Sequence, residues 1–191
     1  MKLVEEVFMY KKSLIKQSPV WNLRTMVVSA LLIALSIVLG KQLSLTVGAF
    51  RISFENLPIL IAGIFFNPVM AIVVGGISDI VGCLVVGYSI NPIITIGAIL
   101  VGGISGMVSN YCMKKDYPLK LRLILSVGTA HIIGSVIVKS VGLYVYYHYA
   151  IPILLLRIPL YVLISIAEIF ILHSLSKNRL FMENLESLKN K

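Results

Sequence analysis

Long apolar runs separated by short polar or proline-containing segments make up most of this chain. Six runs have the continuity of membrane-spanning helices, at about residues 23–40, 55–66, 68–86, 92–112, 120–148 and 152–176. The second run is shorter than the ~20 residues that cross a hydrocarbon core, unless residues 53–56 extend it or the bilayer is locally thin. The pattern predicts a single membrane domain, an all-α bundle of six transmembrane helices.

Basic residues indicate the number and direction of these helices. With a tight turn at Asn67-Pro68, 13 of the 17 Lys and Arg residues fall on one side of the membrane, as the positive-inside rule requires of the cytoplasm. Merging the second and third runs into one kinked helix would instead place the basic cluster at 114–122 outside. We therefore predict cytoplasmic termini, with an amphipathic lead-in at 1–22 and a tail at 177–191 flanking the bundle.

The composition agrees with a membrane setting. Hydrophobic residues make up 58% of the chain and charged residues 13%, with a mean hydropathy of +0.96, whereas soluble domains are roughly 45–50% apolar. The net charge of +9 comes from basic clusters beside the apolar runs, which argues against a nucleic-acid partner. Lysines interrupt the first 20 residues, which therefore do not resemble a secretory signal.

Ionisable residues inside the predicted spans are the first candidates for a binding site. Asp79 and Lys139 lie roughly 12–14 Å below the outer ends of their helices, at 1.5 Å per residue. They form either a structural ion pair or part of a polar ligand site, and the sequence leaves both open. Arg157, about 8 Å deep, either snorkels to water or binds a ligand carboxylate. His131 and Glu168 fall in the inner half, where we expect them to pair within the bundle.

Two outer loops, at about 41–54 and 87–91, either fold over an outward-facing pocket or are plain solvated connections. Aromatic residues cluster at the same ends of the helices, and an interfacial belt accounts for most of them. Phe54, Tyr88 and Tyr144 lie beside the predicted pocket, where a ring would stack on a flat ligand. For these three, the belt and the pocket are alternative roles.

Small residues recur every fourth position on two helices. Ala30 and Ala34 lie on the first span, and Ala98, Gly102 and Gly106 on the fourth. Such stripes allow helices to approach closely. They serve either internal packing or a partner surface.

Motifs for several other chemistries are missing from the sequence. It contains no nucleotide-binding Gly-x-x-x-x-Gly-Lys-Ser/Thr run, no His-Glu-x-x-His, no Cys-x-x-Cys and no Gly-x-Ser-x-Gly. The two cysteines, Cys83 and Cys112, fall near opposite membrane faces, so we expect no disulfide and assign them to packing. We predict no enzyme activity, no metal site and no cofactor.

Three motifs resemble the substrate-binding S components of energy-coupling factor (ECF) vitamin transporters. They are Arg-Ile-Ser-Phe-Glu-Asn-Leu-Pro with Phe-Asn-Pro at 51–68, Gly-Ile-Ser-Asp-Ile-Val-Gly-Cys at 76–83, and Val-Gly-Tyr-Ser-Ile-Asn-Pro at 86–92. The Leu-Pro and Phe-Asn-Pro frame is common to several S components, usually with Gly in place of Asn67. The remaining polar positions resemble the folate-specific members.

The resemblance implies capture of folate or a related vitamin from outside, followed by association with a membrane coupling subunit and two cytoplasmic ATPases. The Ala-x-x-x-Ala motif of the family, which docks on the coupling subunit, matches Ala30 and Ala34. A pterin needs amide or carboxylate partners and a stacking ring, and a glutamate tail needs cations. The implied substrate-binding residues are Arg51, Phe54, Glu55, Asp79, Tyr88, Asn91, Lys139, Tyr144 and Arg157.

Two rival functions stay open. The same scaffold would serve an S component for riboflavin, pantothenate or a vitamin precursor. A self-sufficient proton-coupled carrier working through His131 and Glu168 is the less favoured alternative.

Overall fold

The computed structural model describes residues 23–47, 50–113 and 117–189. Within these ranges the chain forms seven helices and one short β-hairpin. The helices are α1 (Leu23–Gln42), α2 (Asn56–Phe66), α3 (Pro68–Val86), α4 (Pro92–Cys112), α5 (Leu119–Tyr147), α6 (Ile151–Lys177) and α7 (Arg179–Lys189). The hairpin pairs β1 (Leu45–Val47) with β2 (Phe50–Ile52) in antiparallel register.

Five of the described helices, α1 and α3 to α6, are long and apolar enough to cross a membrane. The helix α2 is shorter, with six α-helical residues followed by five π-helical ones, as the short second run predicted. Large apolar side chains are exposed on all five long helices, as expected of surfaces that face lipid rather than water. The predicted segment boundaries agree with the observed helices to within about two residues.

The turn between α2 and α3 has the predicted form. Asn67 is extended, and its side-chain oxygen accepts a hydrogen bond from the Val69 amide at 2.9 Å. Pro68 occupies the first helical position, where its missing amide hydrogen has no consequence. The two segments are therefore separate helices and not one kinked helix.

The small-residue stripe of α4 is an internal packing surface. A Cβ atom added at Gly102 would lie 2.4 Å from the Ala71 carbonyl oxygen, and one added at Gly75 would lie 2.5 Å from the carbonyl oxygen of Ala98. Gly106 packs in the same way against the start of α3. The backbones of α3 and α4 therefore touch, which only small residues allow.

The corresponding stripe of α1 has the opposite environment. Ala30 and Ala34 are both exposed, while Ser29, Leu32 and Ser36 on the other face of the helix are buried. The α1 stripe therefore does not serve packing within the described part of the chain.

The segment after α6, predicted only as a cytoplasmic tail, is a helix that packs against the bundle. The Phe181 ring meets the Phe65 ring edge-to-face with centroids 5.4 Å apart, and Leu185 is buried. Arg179 and Glu183 form an exposed ion pair on the other face. The helix α7 therefore covers the end of α2, the helix that is too short to reach across a bilayer.

Candidate functional site

A cavity of about 430 Å³ opens at one end of the bundle. Its walls come from the end of α1, the residues just before α2, the helices α3, α5 and α6, and the turns that join α3 to α4 and α5 to α6. Ligand pockets in proteins commonly measure roughly 300–1,000 Å³, so the cavity has room for a drug-sized molecule. The lining residues are Lys41, Ser53, Glu55, Asp79, Cys83, Tyr88, Ser89, Asn91, Ile94, Lys139, Leu143, Tyr147, Tyr149, Ile153, Arg157, Leu160 and Tyr161.

An ion pair between Lys139 and Glu55 lies in the wall of the cavity. The Lys139 ammonium donates to Glu55 Oε1 at 2.8 Å and to Asn56 Oδ1 at 3.4 Å. Lys139 is buried, with 5% of its side chain exposed, whereas Glu55 keeps 25% exposure toward the cavity. The pair joins α5 to the start of α2, and its carboxylate faces the open space.

Glu55 is held in this position by α1. The Ser36 hydroxyl donates to the Glu55 carbonyl oxygen at 2.7 Å. A Cβ atom at Gly40 would lie 2.8 Å from Glu55 Cβ, so only glycine allows this approach. The residues before α2 are thereby fixed against α1 at the mouth of the cavity.

Asp79 and Asn91 line the cavity from α3 and from the start of α4. Asp79 accepts a hydrogen bond from the Thr95 hydroxyl at 2.6 Å. The Asn91 side chain accepts from the Ile93 amide at 3.0 Å and donates to the Gly142 carbonyl at 3.2 Å. Asn91 therefore caps α4 and ties it to α5, while Asp79 retains acceptor capacity for a ligand.

Arg157 enters the cavity from α6 together with Tyr161. Its guanidinium donates to the Ser135 carbonyl at 3.2 Å and to the Tyr161 hydroxyl at 3.3 Å, and it lies 5.3 Å from the Tyr161 ring centroid. Ser135 belongs to the π-helical segment of α5, His131–Val138. Short π-helical segments within α-helices are frequent at functional sites.

Lys41 is the second lysine of the cavity and comes from the end of α1. Its ammonium lies 5.8 Å from the Tyr88 ring centroid and 4.0 Å from Cys83 Sγ. Cys83 thus lines the cavity and is not only a packing residue. Both cysteines are free thiols, and Cys112 is exposed.

Six of the nine predicted substrate-binding residues line this cavity: Glu55, Asp79, Tyr88, Asn91, Lys139 and Arg157. The backbone of Arg51 lies in β2, but its side chain falls outside what the structure describes. Phe54 and Tyr144 are not among the lining residues; Phe54 is half-buried and Tyr144 is exposed.

Sequence reasoning missed several lining residues. Tyr147 and Tyr149 are among the aromatic residues at the outer helix ends, for which the sequence predicts an interfacial belt, and Tyr161 lies too deep in α6 to belong to that belt. The signal available for Tyr161 was its position one helical turn after Arg157, which puts both on one face. Lys139 forms its ion pair with Glu55 and not with Asp79. Which carboxylate it pairs with depends on where the residues between the hairpin and α2 place Glu55.

The predicted pairing of His131 with Glu168 is confirmed. His131 Nε2 lies 2.5 Å from Glu168 Oε2, and both residues are buried, at 1% and 0% exposure. His131 Nδ1 lies 3.2 Å from Ser135 Oγ, and its ring packs on the Tyr161 ring with centroids 5.5 Å apart. The pair therefore lies directly beneath the cavity.

The helices and cavity define a class of protein: a multi-pass membrane protein with a chamber, open at one end, that is lined by charged, aromatic and aliphatic side chains. The chain belongs to the family of ECF transporter substrate-specific components, whose model matches residues 24–177. Members of this family are transporter components and not enzymes.

Known folate transporters are among the proteins similar to it. The folate transporter FolT of Clostridium novyi (strain NT) is 27% identical over 123 residues, which cover 64% of this chain and 69% of that protein. A crystal structure of FolT bound with folic acid superposes with a TM-score of 0.67 at 23% identity, covering 84% of this chain and 98% of that one. At this identity the superposition supports the shared fold.

Proposed function

We propose that this chain captures folate at the outer face of the cell membrane, as the S component of an ECF importer. The observation that carries the proposal is a single cavity in which acidic, cationic and aromatic side chains converge: Glu55 and Asp79, Lys139 and Arg157, and Tyr88 and Tyr161. Folate combines a flat, hydrogen-bonding pterin with a dicarboxylate tail, and this set of side chains offers partners for both. The similarity to FolT supports the same ligand.

In this proposal Asp79 accepts hydrogen bonds from the pterin and Tyr88 stacks on it, while Glu55 holds the Lys139 ammonium. Lys139 and Arg157 neutralise the carboxylates of the tail, with Arg157 suited to bidentate contact. Asn91 acts by holding α4 against α5, because both ends of its amide are already used. Arg51, Phe54 and Tyr144 complete the proposed site if the hairpin and the end of α5 close over the ligand.

Titration of the detergent-solubilised chain with folic acid tests this ligand. We expect saturable binding, and a loss of at least tenfold in affinity for Asp79→Asn, since a buried ligand donor then loses a charged acceptor. Glu183→Gln is the matched control, because that carboxylate lies in an exposed ion pair on α7. Riboflavin or pantothenate co-purifying in place of folate, identified by mass spectrometry, would show that the ligand assignment is wrong.

The membrane arrangement is part of the same proposal. Six spans place both termini in the cytoplasm and the cavity outside, and the positive-inside bias supports that orientation. The short α2 spans the membrane together with the residues before it, and α7 covers its inner end.

Coupling to transport is assigned to the exposed stripe on α1. Ala30 and Ala34 lie on an apolar helix face, which permits close approach by a helix of a membrane coupling subunit that works with two cytoplasmic ATPases. We expect Ala30→Leu with Ala34→Leu to abolish co-purification with that subunit while folic acid affinity is retained. Leu163→Phe, on an exposed position of α6, is the control. Folate uptake driven by a proton gradient without ATPases would refute the coupling.

A further inference from the structure

A buried chain of hydrogen bonds runs from the cavity to the His131–Glu168 pair. Asn56 links Lys139 to Ser135: its Oδ1 accepts from the ammonium at 3.4 Å, and its Nδ2 donates to Ser135 Oγ at 3.3 Å. Ser135 Oγ in turn lies 3.2 Å from His131 Nδ1. The four residues beyond Lys139 are Asn56, Ser135, His131 and Glu168, here called the buried cluster, and each is at most 1% exposed.

The directions of these hydrogen bonds are mutually consistent. The Asn56 oxygen must face the ammonium, because its amide hydrogens would be repelled there, so its nitrogen donates to Ser135. The Ser135 hydroxyl is then free to donate to His131 Nδ1, and the His131 Nε2 hydrogen is donated to Glu168. A single tautomer of His131 therefore completes the chain from Glu168 to Lys139.

The cluster also contacts Arg157, another cation of the cavity. The Ser135 carbonyl accepts from Arg157, and His131 packs on Tyr161, the partner of the Arg157 guanidinium. A pair that served only to join α5 to α6 would need neither contact. Ser135 instead stands between two of the cavity cations, Lys139 and Arg157, and the buried His131–Glu168 pair.

We infer that the buried cluster is a positioning device, which fixes the Lys139 ammonium, through Asn56 and Ser135, at the place where the ligand needs it. This inference rests on the proposed folate-binding function. Positioning matters because a long lysine side chain that is held in one rotamer loses little further entropy when a ligand binds. Without the cluster, part of the binding energy is spent on ordering Lys139.

The test compares folic acid affinities of purified variants in detergent. Ser135→Ala removes the hydroxyl that joins Asn56 to His131, and we expect about a tenfold weaker affinity. Ser126→Ala is the matched control: Ser126 is also on α5, is fully buried, and has no hydrogen-bond partner for its hydroxyl in the described structure. That control is expected to bind as the wild type does.

A double-mutant cycle separates positioning from general destabilisation. If Ser135 acts through Asn56, Asn56→Leu weakens binding about tenfold, and adding Ser135→Ala causes no further loss. Losses that multiply to about a hundredfold, or variants that all bind like the wild type, would overturn the inference. Should Asn56→Leu fail to fold, the comparison of Ser135→Ala with Ser126→Ala decides alone. Absence of folic acid binding by the wild type would refute the proposed function itself, and the inference with it.

Discussion

The ion pair between Lys139 and Glu55 leads to an asymmetric prediction about stability. Its two partners differ in burial, because 5% of the Lys139 side chain is exposed and 25% of Glu55. Removing the charge of Glu55 leaves an ammonium without access to water, whereas removing Lys139 leaves a carboxylate that the cavity can hydrate. We therefore expect Glu55→Gln to destabilise the protein more than Lys139→Met, although both substitutions preserve side-chain length.

The size of the difference follows from the contacts. An uncompensated buried charge costs roughly 3–5 kcal/mol, and the lower end applies to Glu55→Gln because the glutamine oxygen still accepts a hydrogen bond. Lys139→Met mainly deprives Asn56 Oδ1 of a long 3.4 Å hydrogen bond, which costs about 1 kcal/mol. The difference of about 2 kcal/mol corresponds to about 4–8 °C in melting temperature for a protein of this size.

The assay is the fraction of folded protein that remains after heating in detergent, measured by size-exclusion chromatography without ligand. The double variant with Glu55→Gln and Lys139→Met should be more stable than Glu55→Gln alone, because it contains no unpaired charge. If Lys139→Met were as destabilising as Glu55→Gln, or if the two losses simply added, the reasoning from burial would be refuted.

Three further predictions use the same purified protein. Gly102→Ala should lower the melting temperature by several degrees, because its Cβ would lie 2.4 Å from a carbonyl oxygen of α3. Gly128→Ala, whose Cβ would have nothing within 4 Å, should leave the melting temperature unchanged or raise it. Equal effects of the two substitutions would contradict the close contact of α3 and α4. Asn91→Asp should keep the cap of α4 but lose the amide donor to α5, for a cost of about 1 kcal/mol, and an unchanged melting temperature would argue against that link. In intact cells, Cys83 should react with a membrane-impermeant maleimide and be protected by folic acid, while Cys112 should stay unlabelled; labelling of Cys112 alone would reverse the proposed orientation.

Helix placement was predictable because it depends on local properties of the chain. Apolar runs of membrane-spanning length, the Asn-Pro pair before α3 and the Asn-Pro pair before α4 each specify a helix or its start without reference to the rest of the molecule. The hairpin at 45–52 and the helix α7 were not predicted. Their stability depends on contacts with neighbouring elements, such as that between Phe181 and Phe65.

Part of the candidate site was equally predictable, since a charged or amide side chain inside an apolar run is costly unless it lies in a polar interior. That reasoning found Asp79, Lys139 and Arg157, and it also anticipated the pairing of His131 with Glu168. Tyr161 escaped it, because an aromatic residue within a membrane helix is unremarkable until its neighbours are known.

The sequence by itself determined which segments are helices, where most of them begin and end, and which polar residues had to avoid lipid. Only the tertiary structure decided that Lys139 pairs with Glu55 and not Asp79, and that one small-residue stripe is internal while the other is exposed. The physical reason is that hydrophobicity and turn chemistry act over a few neighbouring residues, whereas the partner of a buried charge is set by distances between helices that are far apart in the chain.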